Sequence, residues 1–261
     1  MKKGGTRPVV FVTGTFISNN CWSEWSELFE RKGYPCTAPA WPGKVGSPEA
    51  LRNRQPNAAI AANRLDAIMD YFVGIANTFA EEPILIGHSL GGLIVQILLQ
   101  RGIGAAGVAI HPFPPANLMA SQFVFFKTVW PAMGLLSSTQ KAYMISYLTW
   151  KRTLANGLSC DKQKELFYAY AIPESKGIIR DLLKCKAKID FSKYHPPLLL
   201  TSGSRDSMVP KSIVVDNYKS YRGSNSITDY KNFIGHNHLP FEQQPFEEEA
   251  DFVLYWLHGI I

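Results

Sequence analysis

The sequence predicts an α/β protein whose mainly parallel sheet has about six strands, with helices on both faces. Three observations carry this reading. Short runs that are apolar at nearly every position recur at Val9-Val10-Phe11-Val12, Ile84-Leu85-Ile86, Ala106 to Ile110 and Leu198-Leu199-Leu200, as strands buried on both faces require. Stretches with helical spacing separate them, such as Leu65, Ile68, Met69 and Phe72. From Phe113 to about Tyr194 that alternation breaks down. At 261 residues, 46% hydrophobic and 18% charged, the chain suits one domain with a sizeable core.

In chain order, Arg7-Pro8 leads into the first strand at 9–12, and Thr13-Gly14-Thr15-Phe16 leaves its C-terminal end. Asn20 caps a helix over 22–32 that Gly33 closes, with Trp22 and Trp25 placed to pack on the sheet. Residues 34–40 read as the next strand and Trp41-Pro42-Gly43 as its exit loop. Pro56 or Asn57 opens a long amphipathic helix to about Phe79. The strand at 84–86 then runs through Gly87-His88-Ser89-Leu90-Gly91 into a helix through Leu93, Ile94, Ile97 and Leu98, ended by Gly102. The strand at 106–110 finishes at His111-Pro112, where His111 reads as core or pocket wall. The apolar stretch Leu118 to Leu136 approaches the length of a membrane span, but Ser121, Gln122, Lys127 and Pro131 argue for a broken pair of amphipathic helices. After Pro196-Pro197 come a strand at 198–201, a helix over 213–221, a strand over 226–233 and a closing helix over 251–258.

The chemistry sits at the strand–turn–helix around Ser89. In that context Gly-x-Ser-x-Gly lifts a serine hydroxyl clear of the sheet on a cramped turn, which leaves no room for a Cβ at residues 87 and 91. The following helix aims free N–H groups and the positive end of its dipole at the same place. The wording Gly87-His88-Ser89-Leu90-Gly91-Gly92 resembles the α/β-hydrolase superfamily, in its serine esterase and lipase-like branch. The resemblance implies that fold, with a core of residues 1–112 and 195–261 and a helical cap inserted at 113–194. It also implies a Ser-His-Asp triad. Ser89 is the nucleophile, and Asp206, in Gly-Ser-Arg-Asp-Ser-Met-Val-Pro past the strand at 198–201, is the acid. The loop Gly235-His236-Asn237-His238 offers two bases: His238 is favoured because Pro245 stands seven residues on, and His236 is the runner-up. Carried over by position, the oxyanion donors are the amides of Thr15 and Leu90, with Phe16 the alternative for Thr15. Trp22, His88, Phe123 and Trp130 are the candidate pocket residues.

Other function classes find less support. The +6 net charge arises wholly within residues 141–193, where eleven basic side chains meet five acidic ones. No nucleic-acid reading motif accompanies them, and a solvated basic face is the plainer reading. No phosphate loop or metal-ligand spacing appears, so no cofactor and no metal are expected. Cys21, Cys36, Cys160 and Cys185 lack paired spacing and read as reduced thiols, a Cys21–Cys36 bridge being the alternative for an exported protein. With no secretion signal or membrane span seen, a cytoplasmic protein is expected. The expected partner is a hydrophobic small-molecule acyl substrate, cleaved as a carboxylic ester through an acyl-enzyme; nothing bears on oligomeric state. A thioesterase, lactonase, carbon–carbon bond hydrolase or cofactor-free perhydrolase is the alternative on the same fold. A hydrolase-like binding protein is the alternative of another class.

Overall fold

The computed structural model describes residues 7–119, 138, 140–182, 187–241 and 246–260. Its strands are β1 (Val9–Val12), β2 (Cys36–Thr37), β3 (Ile84–His88), β4 (Ala106–Ile110), β5 (Leu198–Gly203) and β6 (Thr228–Phe233). They form one sheet in the order β2-β1-β3-β4-β5-β6, every neighbouring pair parallel. The inner four strands are buried at every residue, whereas β2 and β6 are only partly covered. This is why the inner strands read as unbroken apolar runs and the edges do not.

Strand order reverses between β1 and β3, so the loops leaving their C-terminal ends part there and open a crevice. The helix Leu90–Gln100 leaves β3 at that point and is buried from Leu90 through Leu99. Its one polar side chain in that run, Gln96, is satisfied by Asn217, Tyr221 and the Gly92 carbonyl. Leu65–Ala76 and Ser23–Arg31 also pack apolar faces on the core, and Phe246–Ile260 closes the chain.

Between β4 and β5 the chain runs through helices Ala116–Met119, Tyr147–Thr153, Cys160–Tyr170 and Lys176–Asp181. This segment returns to the β1 exit loop: Ile17 bridges Ala171, Ser18 N–H donates to Tyr170 C=O, and Ile172 N–H donates to Phe16 C=O. The expected helix pair around Pro131 lies outside the described residues. Among the described residues no helix is long and apolar enough to cross a membrane.

Two expectations are corrected. The expected long helix from residue 56 or 57 to 79 is divided into Ala58–Ala61 and Leu65–Ala76. The break at Arg64 is held from far along the chain, because the Ser175 hydroxyl reaches the carbonyls of both Ala61 and Asn63. Strand β2 is two residues long rather than seven, as it pairs only with the first half of β1.

Candidate active site

Ser89 follows β3 directly, with φ 58° and ψ −119°, a region that side chains other than glycine seldom enter. Its neighbours explain how the turn closes. A Cβ on Gly87 would lie 2.2 Å from the Gly91 carbonyl oxygen, and one on Gly91 would lie 2.0 Å from that of Val12. Ser89 N–H donates to Ile110 C=O and its own carbonyl accepts from Phe113 N–H, pinning the elbow to the end of β4.

Two later loops converge on it. His238 Nε2 is 2.9 Å from Ser89 Oγ, and Nδ1 is 2.7 Å from Asp206 Oδ2. Since an ionised carboxylate only accepts, Nδ1 carries the hydrogen and Nε2 is left to accept from the serine hydroxyl. Asp206 Oδ1 takes the N–H groups of Met208 and Val209, both at 2.8 Å, which fixes the carboxylate plane. All three side chains are buried. Asn156, from the segment between β4 and β5, braces the acid and base loops through the Arg205 carbonyl and the Asn237 side chain.

His236 does not join this line. Its Nδ1 faces Glu249 at 3.5 Å and its Nε2 faces Glu248 at 3.6 Å. Burial pulls its pKa down, but these two carboxylates together outweigh burial and hold it above the ordinary histidine value. Thr15 and Leu90 are buried beside the elbow, after β1 and at the first turn of the helix respectively. The alternative donor, Phe16 N–H, points instead at Glu174 Oε2, 3.4 Å away, and Glu174 is paired with the buried Lys44 at 2.5 Å.

The candidate pocket residues separate. Trp22 is fully buried in the core, stacked on Phe11 and donating to Thr13 Oγ1. His88 is fully buried too, its Nε2–H donating to the His238 carbonyl at 2.7 Å. Burial, with His238 and His111 nearby, holds its pKa well below the ordinary value, so it is neutral. Phe123 and Trp130 lie outside the described residues.

Sequence reasoning missed Asn156, Lys44, Glu174 and Glu249, whose partners are distant in sequence and carry no motif. His88, His111 and His238 bring ring nitrogens within 4.8 Å of one another, the spacing of a metal cluster. Both nitrogens of His238 are already engaged, so an ion there would have to break the line to Ser89 or Asp206.

Strand order, elbow and converging loops together define a family. The model described as the alpha/beta hydrolase family matches residues 9–252, and the chain belongs to that family. Similar solved structures include a monoacylglycerol lipase from Paleococcus ferrophilus, with TM-score 0.70, 19% identity, and 98% of this chain and 97% of that one covered. Tomato methylketone synthase I, complexed with 2-tridecanone, has TM-score 0.71 and 14% identity over 98% and 99% of the two chains. A pyrethroid hydrolase from Sphingobium faniae has TM-score 0.64 and 13% identity over 96% and 97%. At such identities these likenesses speak to the fold alone. No curated protein matches the chain.

Proposed function

We propose that this chain is a serine hydrolase that cleaves a carboxylic ester of a hydrophobic substrate through an acyl-enzyme. The observation that supports it is the unbroken hydrogen-bonded line from Ser89 Oγ through His238 to Asp206. As Oγ attacks the ester carbonyl carbon, His238 Nε2 takes the hydroxyl proton, and Asp206 stabilises the resulting imidazolium. The amides of Thr15 and Leu90 receive the oxyanion. His238 then gives its proton to the leaving alcohol, draws another from water, and the acyl group departs as an acid with Ser89 restored.

Residues 113–194 form the cap in this reading, over a core of 1–112 and 195–261. Trp22 and His88, both fully buried, support the site from behind. That similar folds are named for monoacylglycerol and for pyrethroids agrees with an apolar substrate. Cys21, Cys36 and Cys160 are free thiols, which suits a cytoplasmic location.

A p-nitrophenyl ester series from acetyl to long acyl chains, run beside an acyl thioester, tests the proposal. Ester turnover rising with chain length is the expected result. A folded protein that hydrolyses none of the esters contradicts it.

A further inference from the structure

Behind Asp206 lies a second set of buried acids and imidazoles that the proposed reaction does not use. His111, fully buried, directs Nδ1 toward Asp206 Oδ2 at 3.5 Å and Nε2 toward Glu249 Oε1 at 3.7 Å. Glu249, also fully buried, offers its other oxygen to His236, and His236 reaches the half-exposed Glu248. The alternating row Glu248, His236, Glu249, His111, Asp206, His238 therefore runs from the surface to Ser89. Among the described residues, the atoms His111 Nδ1 and Nε2, His236 Nδ1 and Nε2, and both Glu249 oxygens have no hydrogen-bond partner besides these long contacts. Buried groups of this kind are expensive unless they satisfy one another. His111 also sits at φ 45°, a backbone conformation unusual for a side-chain-bearing residue.

We infer that His111 is a positioning residue for Asp206: its Nδ1, the ring nitrogen nearer a carboxylate, carries the hydrogen and is a further donor to the group that holds His238. The inference rests on the hydrolase reading for its kinetic consequence, but not for its geometry. Asp206 otherwise accepts only from Met208, Val209 and His238 among the described residues. A hydrogen bond to the charged carboxylate lowers its basicity, and so limits how strongly it stabilises the His238 imidazolium. The groups facing this unit are Asp206 and His238 on their loops, Glu249 and Glu248 on the last helix, His236 beside them, and His88 on β3. Glu249 and Asp206 favour a protonated His111, whereas burial and the neighbouring imidazoles disfavour it and prevail, leaving a neutral ring with one hydrogen to place.

The test compares His111→Phe, which keeps a ring without a donor, with His111→Asn, whose amide nitrogen falls near the Nδ1 position. In kcat/KM against pH for p-nitrophenyl butyrate, the acid limb of the Phe variant should move up by roughly half a unit or more, and the Asn variant should bring it back. A folded Phe variant with an unmoved acid limb overturns the inference, as does an Asn variant displaced as far as Phe. Should the Phe variant not fold, ¹⁵N imidazole spectra of the unaltered protein decide. A hydrogen on His111 Nδ1 supports the assignment, and one on Nε2 overturns it. The spectra need no turnover, so a protein inert toward esters would remove the hydrolase reading while the place of that hydrogen could still be measured.

Discussion

His236 turns its ring toward Glu249, with Nδ1 3.5 Å from the carboxylate, while its neighbour two residues on takes the place beside Ser89. One short loop thus carries two buried imidazoles with separate partners. His238→Ala should lower kcat by several orders of magnitude, because it removes the acceptor of the serine proton. His236→Ala should leave kcat within about tenfold and show its loss in stability. Parallel kinetics on p-nitrophenyl butyrate, with a thermal melt of each variant, separate the two.

The pH dependence of that stability has a definite sign. His236 binds its proton more tightly folded than unfolded, because Glu249 and Glu248 outweigh burial. Its contribution is therefore complete below the unfolded value of about 6.5 and is lost as pH rises through the higher folded value. The Tm difference between the unaltered protein and His236→Gln should be full below about pH 6.5 and narrow as pH rises above it. A gap that widens with pH contradicts the assignment.

Lys44 and Glu174 form a buried ion pair, and Glu174 also receives the N–H groups of Phe16 and Ser175. Lys44→Met leaves that carboxylate without its cation and should destabilise the protein by about 3–5 kcal/mol in urea unfolding. Adding Glu174→Gln to Lys44→Met should recover part of the loss, since the unpaired charge is then gone.

Gly91→Ala tests the elbow. The new methyl group would stand 2.0 Å from the Val12 carbonyl oxygen, which belongs to a central strand and cannot retreat. Destabilisation toward the upper end of the ~1–3 kcal/mol typical of overpacking is expected, together with loss of ester turnover.

What the sequence made legible was local or strand-bound. Gly87 to Gly91 declares its turn because each glycine is required within five residues of Ser89. Asp206 is legible because an acid a few residues past a buried strand end has few places to go. His238 needed a register argument resting on Pro245, which lies outside the described residues. Contacts that join distant segments left no trace. Ser175 ends the helix at Ala61 from more than a hundred residues away, Glu174 is 130 residues from Lys44, and Glu249 reads as an ordinary acid in a helix's first turn. Periodicity encodes which face is buried but not which distant group will meet it, so the split helix and the row behind Asp206 emerged only from the fold.

Whether Ser89 is an activated nucleophile can be read by intact-mass measurement and peptide mapping after treatment with a fluorophosphonate, which modifies only such a serine. A single adduct on the peptide bearing Ser89 is expected, formed quickly by the unaltered protein and absent from Ser89→Ala and His238→Ala. A folded sample that takes no adduct, or takes it on another residue, contradicts the catalytic role of the Ser89–His238–Asp206 line.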